Sequence, residues 1–166
     1  YENFEHDFVI LATSGVFTVE VKTLYGNHII TETGLMKNEK TDTPEINVAE
    51  QSMRHAETLR KILNKCSVFK DKPITEIVCS ADDRYTLKSD FPYIKVCYPT
   101  TIRNILFPSE QKNVFTKKEL MTMKKHLEKN RAKDVAFDLF KPKGELSSRE
   151  DFILSFAKVA ACRKYL

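Results

Sequence analysis

Two runs of β-branched and aromatic residues, about Asp7 to Ala12 and Val16 to Thr23, flank Thr13-Ser14-Gly15, a pattern that predicts a β-hairpin. A third strand is expected over His28-Ile29-Ile30-Thr31-Glu32, between Tyr25-Gly26-Asn27 and Thr33-Gly34, and completes a meander. From Met36 to Pro44 the chain is polar and reads as a loop. Asn47 and Glu50 have the spacing of a capping box. Ala49, Met53, Ala56, Leu59, Leu63 and Cys66 then recur at helical intervals, so a helix with one apolar face is expected from Asn47. Ile74 to Ser80 predicts a short buried strand, and Ile94 to Cys97 predicts another that leads through Tyr98-Pro99 into a helical piece, Thr100 to Leu106. A further helix starts at Thr116 or Lys117 and runs to about Arg131. Beyond the break at Lys141-Pro142-Lys143-Gly144, Ser147 and Glu150 cap a last helix with an apolar stripe of Phe152, Ile153, Phe156, Val159 and Ala160.

A hairpin followed by a helix and two more strands implies an α/β sheet with helices packed on it, not a barrel or a bundle. The 166 residues, 42% of them apolar, are enough for one core, and no internal repeat or long linker divides them. Cys66, Cys79, Cys97 and Cys162 lack Cys-x-x-Cys spacing, and His6, His28, His55 and His126 lack ligand spacing, so buried thiols are expected rather than disulfides or a zinc site. No run approaches the ~20 apolar residues that cross a bilayer, and no signal-peptide pattern opens the chain. A cytoplasmic protein without a membrane partner is the expectation.

The charges change the picture more than the composition does. Side chains alternate across a strand, so Glu20 and Lys22 share one face with Thr18, while Phe17, Val19 and Val21 point to the other. A turn formed by Ser14 and Gly15 would pair Thr13 with Val16, Val9 with Glu20 and Asp7 with Lys22, placing Asp7, Glu20 and Lys22 on one face. Two carboxylates beside an ammonium are costly as mere packing and invite a compensating cation. Asp7 and Glu20 are hard oxygen donors suited to Mg2+ or Mn2+, and Lys22 could orient an attacking water and stabilise charge on a phosphate. The reaction class suggested is phosphodiester hydrolysis. A Glu-x-Lys triplet alone is weak evidence, since Glu110-Gln111-Lys112 is a second copy in a polar loop, and a solvated strand face is the competing reading.

These residues resemble the nuclease-related domain family (NERD), a branch of the PD-(D/E)xK nucleases with the restriction-endonuclease-like fold. Glu5-His6-Asp7-Phe8-Val9-Ile10 resembles its first motif, Gly15-Val16-Phe17-Thr18-Val19-Glu20-Val21-Lys22 its second, and Gln51-Ser52-Met53-Arg54-His55-Ala56 with Leu59-Arg60 its helix. The resemblance runs from about Phe4 to Leu106. It implies a mixed β-sheet flanked by helices for a core over 1–107; the stretch 108–166 matches nothing in the family and reads as a basic helical extension packed on that core within one domain. It implies further that Asp7 and Glu20 hold the metal, with the Val21 carbonyl and Glu5 as additional candidate ligands. Lys22 would be catalytic, and Gln51 would reach the site from the helix. DNA is the implied substrate; RNA, and a homodimer that cuts both strands, stay open. The alternative is a non-catalytic module that keeps the fold and binds nucleic acid or a protein.

Between Gln111 and Lys143 ten Lys and Arg stand against four Asp and Glu, a segment that could follow phosphates or form a solvated helix face. Lys117, Lys118, Lys124 and Lys125 are its candidate nucleic-acid contacts. His55, one turn beyond Gln51, could join them, or be an ordinary surface histidine. Phe91-Pro92-Tyr93 could stack on bases or close a loop over the core.

Overall fold

The computed structural model describes residues 5–109, 113–130 and 156–160. The hairpin comprises β1 (Glu5–Ala12) and β2 (Gly15–Lys22), and the structure corrects its register. Ala12 pairs with Gly15 and Val9 with Thr18, so Thr13 and Ser14 make the turn. The buried Ser14 hydroxyl donates to the Leu106 carbonyl, which anchors the turn one residue earlier than Ser14-Gly15 and so moves each strand partner by two. A shift of two, unlike a shift of one, leaves every side chain on its own face. Continuing this register sets Asp7 opposite Glu20 rather than Lys22.

No meander follows. After β2 the chain turns at Leu24, which is buried, and at Gly26, whose φ of 87° lies in the region glycine favours. It then enters a separate four-stranded sheet. This sheet has the order β5-β4-β3-β7 and is built from β3 (His28–Ile30), β4 (Leu35–Asn38), β5 (Pro44–Asn47) and β7 (Leu87–Ser89). The polar stretch expected to be a loop therefore carries β4 and reaches β5, and β3 ends at Ile30, short of Glu32. The free edge of β2 is taken in parallel by β6 (Ile74–Ser80), which pairs in parallel with β8 (Ile94–Cys97). On the other side, β9 (Phe156–Ala160) pairs antiparallel with β1 and completes the order β8-β6-β2-β1-β9. Phe156, Val159 and Ala160 thus belong to a strand, not to the expected last helix. The other residues of that stripe and its caps lie outside the described residues, as does Cys162.

Helices cover both faces of the larger sheet. One face, with Val9, Leu11, Val16 and Ile74, packs under α1 (Val48–Leu63) and α3 (Lys117–Lys129) through Ala56, Leu59, Leu63, Leu120 and Met123. The opposite face, with Ile10, Phe17, Val19, Ile77 and Cys97, receives Leu106 from α2 (Ile102–Leu106). Each large side chain buried this way contributes about 1.5–3 kcal/mol. The smaller sheet joins the start of α1 through Leu24, Ile30, Met36, Val48 and Ala49. Cys66, Cys79 and Cys97 are buried free thiols. The fold is mixed α/β, consistent with a restriction-endonuclease-like architecture. Among the described residues no helix is long and apolar enough to cross a membrane.

The start of α1 is held from two directions. The Asn47 side chain accepts from the Glu50 N–H at 3.0 Å, which is half of a capping box; α3 has the complete box, between Thr116 and Glu119. The Gly34 carbonyl accepts from the Ala49 N–H at 3.2 Å. Met53, expected on the apolar face, is 57% exposed. Ser52 and His55 are buried instead, so α1 turns a partly polar side inward.

Gly34 has a φ of 82°, and a Cβ there would collide with the Ala49 Cβ. Gly34→Ala is expected to cost roughly 2–4 kcal/mol in urea unfolding. Glu76, in register with Thr18 and Ile94, has one carboxylate oxygen buried without a hydrogen-bond partner. Burial raises its pKa to about 7, with the Arg60 charge pulling the other way. Its folded value lies above the ordinary 4.5, so folding favours the protonated form. That stabilisation is complete below about pH 4.5 and is lost as pH rises through about 7. Glu76→Gln should flatten the dependence of thermal stability on pH between those values. Above pH 7 it should leave the variant more stable than the wild type by on the order of 1 kcal/mol, solvent screening having reduced the effect.

Candidate functional site

Three polar side chains meet where β2 passes beneath the first turns of α1. The Lys22 Nζ donates to the Glu20 Oε1 at 2.8 Å and to the Gln51 Oε1 at 3.2 Å. The Gln51 Nε2 in turn donates to the same Glu20 Oε1 at 2.9 Å. Strand alternation puts Glu20 and Lys22 on the α1 side, and the capped helix start puts Gln51 above them. The side chains of Lys22 and Glu20 are only 18% and 14% exposed, so water screens the ion pair poorly and its hydrogen bonds are charge-assisted.

Asp7 reaches the same region from β1. Its Oδ2 accepts from the Val21 N–H at 2.8 Å, taking the place of a strand partner just beyond the last paired residues, Phe8 and Val19. Asp7 Oδ1 and Glu20 Oε2 take no part in these hydrogen bonds. Both are hard oxygen donors, and a magnesium ion is often held by one or two carboxylates, with waters and substrate phosphate completing the octahedron. Among the described residues no group of three or more His, Cys, Asp or Glu is placed to hold a metal ion. Glu5 lies in β1, but its side chain is outside the described residues.

His55, expected at the surface, is 9% exposed and turns inward, its Nδ1 3.9 Å from Glu20 Oε2. Its pKa is lowered, chiefly by burial. The charges of Lys22 and Arg54 act in the same direction, and Glu20 and Asp7 oppose. Burial thus favours the neutral imidazole, which lies behind the Glu20 carboxylate. The sequence offered only the one turn of helix between Gln51 and His55, which leaves its flank open.

The basic candidates are elsewhere. Lys117, Lys118 and Lys125 are exposed on α3, and Lys124 pairs with Glu128 at 3.7 Å. The α3 helix meets α1 at Ile62, whose carbonyl lies 2.9 Å from His126 Nε2, well down the helix from Gln51. Phe91 packs into the smaller sheet's core and sets its ring at 70° to that of Tyr93, which is 76% exposed. A cavity of about 420 Å3, lined by Ser14, Phe17, Lys95 and Asn104 among others, sits at the turn end of the hairpin, away from Glu20.

Residues 1–81 match the family model NERD, the nuclease-related domain. This span contains the charged cluster and stops short of the Leu106 to which the motif resemblance extends. No curated protein and no solved structure matches the chain.

Asp7 also has a measurable structural role. Asp7→Ala would leave the Val21 N–H without its acceptor and should cost about 1–2 kcal/mol in urea unfolding, whereas Asp7→Asn keeps a carbonyl oxygen and should stay near wild-type stability.

Proposed function

The chain belongs to the nuclease-related domain family through residues 1–81, and from that premise we propose that it hydrolyses phosphodiester bonds of DNA at the cluster of Asp7, Glu20 and Lys22. The observation that carries the reading is the Glu20–Lys22–Gln51 contact, a charged pair on an inner strand that a side chain from α1 holds in place. Structural packing alone gives little reason to put a carboxylate and an ammonium there when apolar residues would cost less.

In this reading Asp7 and Glu20 hold a magnesium or manganese ion, with the Val21 carbonyl, and Glu5 where it reaches, as further ligands. The ion would lower the pKa of a bound water and neutralise charge on the phosphate oxygens. Lys22 directs its ammonium at the reacting phosphate, where it orients the attacking water and stabilises the negative charge that develops. Gln51 restricts the Lys22 rotamers, so less ordering remains for the transition state. His55 keeps the second Glu20 oxygen facing the site without adding a charge.

A binding module without catalysis is the second reading, favoured by the absence of a three-ligand metal cluster among the described residues. One assay separates the two: plasmid and linear DNA incubated with the protein, with and without Mg2+ or Mn2+, beside Lys22→Ala. Cleavage by the wild type that requires metal and falls at least about 100-fold in Lys22→Ala is expected. Equal behaviour of the two proteins would refute the catalytic assignment, and binding by the wild type without cleavage would favour the module.

A further inference from the structure

The far end of α1, where the chain leaves the helix and runs beside α3, is a surface of another kind. Lys65, Ser67, Thr122, Lys125, His126 and Lys129 line a concave site of about 360 Å3 there. Helical periodicity puts Thr122, Lys125 and Lys129 on one stripe of α3, with Lys118 a turn or two earlier on the same side. Lys65, Lys125 and Lys129 are exposed, and none of them enters the ion pairs found among the described residues. Neighbouring lysines differ. Lys61 is held by Glu57 at 2.9 Å and Lys124 by Glu128 at 3.7 Å. No acidic residue lines the concavity, and Ser67 adds a neutral hydroxyl donor.

Helix C-termini attract cations, and both α1 and α3 end here. Several of their last carbonyls, however, already have partners. Arg60, Ile62 and Leu63 accept from the N–H groups of Asn64, Lys65 and Cys66, and Leu127 accepts from that of Asn130. His126, whose Nε2 lies 2.9 Å from the Ile62 carbonyl, fixes the wall between the helices. The ammonium groups of the three lysines are therefore left to face solvent around a preformed hollow, an arrangement whose natural complement is a run of anions.

We propose that this hollow binds the phosphodiester backbone of DNA at a distance from the reacting phosphate; the choice of this polyanion rests on the nuclease reading. At 1.5 Å per helical residue, Lys65 lies roughly 20 Å along α1 from Gln51. That separation corresponds to about six nucleotides of one strand. Contacts so placed cannot touch the bond being cut. They fix the register of the strand and add affinity without sequence preference.

The test compares the wild-type chain with Lys65→Ala/Lys125→Ala/Lys129→Ala. Binding to a fluorescent duplex of about 30 base pairs is followed across salt concentration without divalent cation, and cleavage is measured separately. The variant should bind roughly 10- to 100-fold more weakly, with a salt slope smaller by about 2 to 3, as three lost phosphate contacts require. Its thermal midpoint should not move, and arginine at all three positions should restore binding. Wild-type affinity and slope in the alanine variant would overturn the proposal even if DNA is cut. Failure of the wild type to bind DNA would overturn it as well. Binding that depends on the lysines, with no cleavage by the wild type, would sustain the site while refuting the nuclease reading alone.

Discussion

Glu20 and Lys22 stand on the middle strand of a five-stranded sheet, where β6 takes one side of the backbone, the Asp7 carboxylate takes the Val21 N–H on the other and α1 lies above. A charge in such a place must be paired or bound to something, or it gives up its charge. Here each satisfies the other at 2.8 Å, and Gln51 bonds to both. The arrangement works only if α1 begins where it does. The Asn47 cap, the Gly34 contact and the small second sheet, which packs on Val48 and Ala49, all serve that position.

The surroundings grade from apolar to polar along the same face. Near the hairpin turn, Val9, Leu11, Val16 and Ile74 meet Leu59, Leu63 and the apolar side of α3. Toward the end of β2 the same strand faces present Asp7, Glu20 and Lys22 to Gln51 and His55. One rigid sheet thus carries a dry core at one end and a charged cluster at the other, and loss of packing in the first would loosen the second. The basic hollow at the end of α1 extends the charged chemistry along the helix, opposite in sign to the carboxylates.

Much of this was legible in the sequence. The strands Ile74 to Ser80 and Ile94 to Cys97, the Asn47 cap, the start of α3 and the shared face of Asp7, Glu20 and Lys22 follow from alternation, periodicity and parity. The hairpin register did not, because the hydrogen bond that places Ser14 comes from Leu106, 92 residues away. The second sheet was missed because its strands are three or four residues long and lie in polar segments, too short to show a period. Phe156 to Ala160 illustrates the opposite ambiguity. Five mostly apolar residues suit a helix or a strand equally, and only the open edge of β1 decides. The inward turn of His55 was open because helical spacing places it one turn from Gln51 without saying which flank Glu20 occupies.

The central claim is that the carboxylates of Asp7 and Glu20 form a metal centre beside Lys22, and metal occupancy tests it without relying on catalysis. Mn2+ titrated into the full chain and followed by electron paramagnetic resonance should reveal a bound ion in the wild type, displaced by Mg2+. That ion should be lost in the Asp7→Asn/Glu20→Gln double variant while its fold persists. Equal Mn2+ binding by the two proteins would contradict the account, as would a wild type that binds none.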